Sequence, residues 1–204
     1  MSTLFEFLSK GGLAVYPLIA LSVFSWAIII ERALALRTSS LLSSLPPDWR
    51  SYAIAGEIDK LSKILSEDNS QISLILRALL EDYKAKNLNR SELLSTAHAL
   101  IDLLIPKVEK NIALLSVIAS VAPLIGLFGT ITGLIKVFSA FSFSSPDEAL
   151  KLLSLGISEA LIAAAMGLAV AIPSLIAYWL FRIQANSVLS KIESEVIQLV
   201  RLLP

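Results

Sequence analysis

Glu159 is the one ionisable side chain set against the long apolar stretch that follows it. A charged group in a bilayer is costly and usually functional. Two readings are open: Glu159 serves an ion path, or it stands solvated at the outer interface. Thr130 lies five residues before the end of a second apolar run. Its hydroxyl either donates and accepts along a path or bonds back to its own helical turn. Pro123 and Pro173 each withhold a backbone donor, leaving the carbonyls of Ala119 and Ala169 without their usual partners. They read as plain kinks or as hinges. The three apolar runs contain no Asp, Lys, Arg or His. A proton relay needs titratable groups or water through the full depth, so this chain alone is not a complete pump. It must oligomerise, recruit a partner that brings an acid, or be purely structural.

The elements that would position these residues are helices in a membrane. The 204 residues are 55% hydrophobic and 17% charged, against about 25% charged in ordinary soluble domains. Gly11–Ile30, Ile112–Ile135 and Ala160–Phe181 carry no charge over twenty, twenty-four and twenty-two residues. Each is long enough to span, since a crossing takes roughly 20 apolar residues. The first run ends on Glu31-Arg32 without a small-residue cleavage pattern, which predicts a retained helix rather than a signal peptide. Residues 31–111 hold 22 of the charged side chains in 81 positions, and the remaining 123 positions hold 12. One charged segment therefore faces water.

Lys and Arg near the span ends set the orientation. Arg32, Arg37, Arg50, Lys107, Lys110, Arg182, Lys191 and Arg201 fall on one side, and Lys10, Lys136 and Lys151 on the other. Eight against three gives a periplasmic N-terminus over 1–10, a first span over 11–30, and a cytoplasmic helical domain over 31–111. A second span over 112–135 leads to an outer loop and the start of the third helix over 136–155. The third span covers 156–181 and a cytoplasmic C-terminal helix 182–204. The fold class is all-α.

Within 31–111, Ser39–Asp48 is a break with Pro46-Pro47, followed by helical spacing at Ile58, Leu61, Ile64 and Leu65, and again at Ile72, Ile75, Leu76, Leu79 and Leu80. Asn89-Arg90-Ser91-Glu92 resembles a capping box, with Leu93, Ala97, Leu100 and Leu104 marking one face beyond it. Pro106 is expected to kink this helix without stopping it, so that it feeds into the second span. Ser145-Pro146-Asp147-Glu148 is a strong start signal. Beyond Phe181, Ala185, Leu189, Ile192, Val196, Leu199 and Leu203 form a heptad seam. One helix from about Pro146 to Leu203 is expected.

The second and third spans are rich in small residues: Ser116, Ala119, Ser120, Gly126, Gly129, Thr130 and Gly133 in one, and Ala160, Ala163, Ala164, Gly167 and Ala171 in the other. Small residues let membrane helices approach closely. They either pack helices tightly or line a narrow lumen that holds another helix. The first span, with large apolar side chains and Trp26, reads as a lipid-facing outer helix.

VAPLIGLFGTITGLIKVF and GISEALIAAAMGLAVAIPSLIAYWLF strongly resemble the TolQ/ExbB branch of the MotA/TolQ/ExbB proton-channel family. GGLAVYPLIALSVFSWAIIIER is similar to that family's first span, so the resemblance covers essentially the whole chain. It implies a bacterial inner-membrane subunit that forms a homo-oligomer, a pentamer, around a dimer of single-span TolR/ExbD-like proteins. The partner supplies a membrane Asp, and ion flow does mechanical work on the envelope, with a TonB- or TolA-like protein as a further partner. It also implies a pore role for Thr130 and an acidic motif role for Glu159, with Pro123 and Pro173 as the family prolines. One position departs: Ala164 stands where the family usually has a second threonine, which removes a hydroxyl and favours protons over sodium.

Other classes are limited by composition. Seventeen basic and seventeen acidic side chains leave no net charge for a nucleic-acid face. With no cysteine and one histidine, His98, neither disulfides nor a zinc-thiolate or histidine-rich metal site is available. No enzyme activity and no cofactor are expected. A flagellar stator-like MotA subunit would usually have a fourth span, and a passive membrane scaffold would need neither Thr130 nor Glu159.

Overall fold

The structure is a computed structural model that describes residues 11–37, 45, 48–68, 70–86, 88–141 and 146–203. Every regular element among them is an α-helix. In chain order these are α1 (Val15–Arg37), α2 (Trp49–Ile54), α3 (Ile58–Glu67), α4 (Gln71–Lys86), α5 (Arg90–Asp102), α6 (Ile105–Val108), α7 (Ile112–Phe141) and α8 (Pro146–Leu202). Three of them, α1, α7 and α8, are long and apolar enough to cross a membrane. Lys10, Ser145 and most of the expected break at 39–48 lie outside the described residues.

The chain divides into two compact units. The first comprises the chain up to Arg32 and residues 111–180, so it contains most of α1, all of α7 and the first part of α8. Its close packing comes from glycine. A Cβ on Gly126 would stand 2.9 Å from the Ala163 carbonyl oxygen and 3.3 Å from the Cα atoms of Ala164 and Gly167. One on Gly167 would stand 2.8 Å from the Ala122 carbonyl oxygen, and one on Gly133 3.3 Å from the Ala160 Cβ. The two backbones approach along this line because nothing projects between them. α1 joins through buried Leu18, which packs with Ala122 and Ala171.

Pro123 and Pro173 both lie inside continuous helices. α8 runs 57 residues without interruption, as its start signal and unbroken periodicity predict. Where α7 begins, Asn111 adopts φ 60°, a conformation asparagine tolerates better than most residues. Its side-chain amide donates to Glu31 Oε2 at 3.3 Å. This turn corrects the expectation that the segment around Pro106 feeds into the second span. α5 ends at Asp102, Pro106 occupies the first turn of the four-residue α6, where its missing donor costs nothing, and Asn111 breaks the chain again before α7.

The second unit comprises residues 33–110 and 181–204. Its core holds Leu61 and Leu65 of α3, Ile72, Leu76, Leu79 and Leu80 of α4, and Leu93, Ala97 and Ile101 of α5. Ile192, Val196, Leu199 and Leu203 close it from the C-terminal part of the chain. The heptad seam is thus covered by helices of the same chain. The α5 cap forms as a full box: the Glu92 amide donates to Asn89 Oδ1 and the Asn89 amide to Glu92 Oε2, both at 2.9 Å. At the start of α4, Ser70 Oγ accepts from the Ser73 amide at 3.2 Å, and Ser73 Oγ donates to Asp68 at 2.6 Å. α2 adds Trp49, 3% exposed, with the Arg50 guanidinium over its ring and on the Glu195 carboxylate at 3.1 Å.

Candidate ion-path site

The expected site residues lie on the two helices that the glycines hold together. At Gly129 the three span segments come close together. A Cβ there would meet the Ala163 Cβ at 2.5 Å and the Ala14 Cβ at 2.8 Å, so residues from all three span segments converge on it. The next residue, Thr130, is half-buried and donates its hydroxyl to the Leu127 carbonyl oxygen at 2.7 Å. A hydroxyl carries one proton and two lone pairs. With the proton engaged in its own turn, Thr130 retains acceptor capacity for a water or a protonated acid.

Glu159 is the other half of the expected path. Its side chain is 19% exposed and accepts from Lys136 Nζ of α7 at 2.5 Å. Gly12, at φ +69°, lies against the same side chain; a Cβ there would stand 2.7 Å from the Glu159 Cδ. Lys136 and Thr130 are six residues apart on α7, a rise of about 9 Å. The structure therefore does not join Thr130 and Glu159. Glu159 pairs with Lys136, and Thr130 bonds to its own turn.

The small residues fall mainly on the contact between the helices. Gly126, Gly129, Gly133 and Gly167 each face a backbone or small side chain of the opposing helix, with Ala160 and Ala163 among the groups they meet. Ala164 is half-buried and presents its Cα to Gly126. Among the side chains that α7 and α8 leave exposed are large apolar ones: Leu124, Leu127, Phe128 and Ile131 on one, Leu161, Leu168, Ile172 and Ile176 on the other. α1 likewise exposes Tyr16, Val23, Phe24, Trp26 and Ile30.

Sequence reasoning did not single out five contributors. Gly12 appeared only as part of the first apolar run. Lys136 counted only as a charge for orientation. Gly156 continues the small-residue line and lies 3.1 Å, by its would-be Cβ, from the Gly133 carbonyl oxygen. Ser25 on α1 and Ser174 on α8, both buried, meet at 2.7 Å. Hydroxyls 149 residues apart carry no sequence signal of their pairing.

The family model described as MotA/TolQ/ExbB proton channel family matches residues 66–194. The chain is 31% identical over 187 residues to the Tol-Pal system protein TolQ of Haemophilus influenzae, covering 86% of this chain and 81% of that protein. It is 35% identical over 178 residues to putative biopolymer transport protein ExbB-like 3 of Synechocystis, covering 84% and 81%. Over 78 residues it is 47% identical to the biopolymer transport protein ExbB of Helicobacter pylori, covering 38% and 53%. Members of this family are channel and transport subunits, not enzymes. Three apolar helices and the matched residues, which include both α7 and the span portion of α8, place the chain in the MotA/TolQ/ExbB proton channel family.

Proposed function

We propose that this chain is the ring-forming subunit of a proton-driven motor in a bacterial inner membrane. Five copies surround a dimer of single-span TolR/ExbD-like partners, whose membrane Asp takes up and releases the proton that the span interiors of this chain cannot bind. The N-terminus is periplasmic, and residues 31–111 and 182–204 are cytoplasmic. Work is passed to the envelope through a TonB- or TolA-like protein.

The observation that carries this reading is the combination at Thr130. The span interiors hold no acid or base, yet α7 presents a half-buried hydroxyl with acceptor capacity left over. Such a group is suited to a protonated acid arriving from elsewhere. The glycine and alanine faces are already engaged within the subunit, so the large apolar faces of α7 and α8 remain for neighbouring copies, the partner helices and lipid. Thr130 lies at the lumen and Glu159 at the periplasmic mouth of the path. The replacement of the second threonine by Ala164 favours protons.

The test is co-expression with a one-span protein that carries a membrane Asp, encoded beside this gene. Native mass spectrometry in mild detergent is expected to show five copies of this chain with two of the partner. Proteoliposomes holding that complex are expected to conduct protons down an imposed gradient, and conduction should stop when the partner Asp becomes Asn. A monodisperse monomer, a 1:1 complex or the absence of flux would reject the reading.

A further inference from the structure

Glu159 touches two other elements, and the sequence offers no reason to link either to it. Lys136 Nζ donates to its carboxylate at 2.5 Å from α7. Gly12 lies against its side chain from the turn that leads into α1, in a left-handed conformation that favours glycine, and a Cβ there would force the Glu159 carboxylate to shift. The two partners differ in exposure. The Lys136 side chain is 53% exposed and that of Glu159 19%, so lysine reaches inward from solvent to a carboxylate packed between segments. Just beyond the pair, Gly133 meets Gly156 and Ala160, and further along Gly129 meets Ala14 and Ala163.

We infer that Lys136 and Gly12 are positioning residues for Glu159. Together they form a clasp that joins the three span segments at one end and fixes the carboxylate in place. Lys136 supplies the opposing charge and Gly12 supplies the space. An isolated carboxylate in this position would swing toward solvent; the ammonium holds it down on the Gly12 backbone. The role assigned to Glu159 in ion movement rests on the proposed function above, whereas the clasp itself does not.

The complex of this chain with its one-span partner, reconstituted in proteoliposomes, supplies the first readout. Lys136→Gln is expected to lower gradient-driven proton flux by the same factor as Glu159→Gln, with the double variant no lower than either. Lys136→Arg is expected to restore most of the flux. Losses that multiply in the double variant, or wild-type flux in Lys136→Gln beside a loss in Glu159→Gln, would overturn the assignment of Lys136. The second readout makes no reference to ions. Amide exchange at residues 11–15 is expected to quicken about fivefold in Lys136→Gln, the scale of an ion pair worth about 1 kcal/mol. Unchanged exchange there would overturn the clasp. Faster exchange with wild-type flux in Glu159→Gln would instead reject the ion-path role of Glu159 and leave the clasp standing. Gly12→Ala should act like Lys136→Gln on both readouts, and native mass spectrometry confirms that each variant still assembles.

Discussion

Ser174 on α8 donates its hydroxyl proton to the Val170 carbonyl oxygen at 2.7 Å, so the 2.7 Å contact between its oxygen and that of Ser25 on α1 requires Ser25 to be the donor there. The pair is buried, at 3% and 0% exposure, immediately after Pro173. It fixes the rotation of α1 against α8, where the surrounding contacts of Leu18 with Ala122 and Ala171 are apolar and less directional.

The first prediction follows from that pair. Ser25→Ala should lower stability by about 0.6–1.7 kcal/mol, the span measured for hydrogen bonds between membrane helices. The double variant Ser25→Ala/Ser174→Ala should cost less than the two single costs added together, because each single already removes the same bond. Thermal unfolding of the detergent-solubilised protein measures both singles and the double. Strictly additive losses would show that the two hydroxyls do not act on each other.

Thr130 should separate chemistry from folding. Thr130→Val keeps the shape and removes the oxygen, while Thr130→Ser keeps the oxygen. Flux is expected to fall by about tenfold or more in the valine variant, the range of a hydrogen bond to a charged or acidic partner, and to persist in the serine variant. The copy number seen by native mass spectrometry should be unchanged in both. A valine variant with full flux would remove Thr130 from the path.

At Gly129 the expected effect is on packing. Alanine there would set a methyl 2.5 Å from the Ala163 Cβ and 2.8 Å from the Ala14 Cβ, forcing apart residues from all three span segments. Overpacking of this kind costs about 1–3 kcal/mol. Lower thermal stability and broader gel-filtration peaks are expected for Gly129→Ala. Pairing it with Ala163→Gly, which removes the nearest methyl, should recover part of the loss; no recovery would show that the close approach is not what requires glycine.

The second unit offers a prediction independent of ion movement. Asn89→Ala removes the acceptor for the Glu92 amide and should destabilise α5 by about 1 kcal/mol. Ile192→Ala, at a fully buried core position, should cost about 2–5 kcal/mol. Limited proteolysis of residues 48–110 should quicken more in the second variant than in the first.

Local signals were legible. Apolar length gave three crossing helices, the Asn89–Glu92 box formed as spelled, and the periodicity from Pro146 onward gave one helix to Leu202. These depend on side chains within a few residues of one another, so order along the chain determines them. The resemblance in the second and third spans likewise survives comparison with known proteins. What the sequence left open was the choice of partner. The same small residues read equally as a lumen or a helix contact, and the structure sets Gly126, Gly129 and Gly167 against the opposing helix. The seam at Ile192, Val196 and Leu199 has the spacing of an intersubunit coil, but helices of its own chain cover it. Pro106 looked continuous with the second span because the left-handed turn at Asn111 is set by contacts, Glu31 among them. Glu159 was visible as a charge beside an apolar run; that Lys136 and Gly12 hold it was decided by three segments meeting in space. A periodic stripe specifies which face is buried, and only tertiary packing specifies against what.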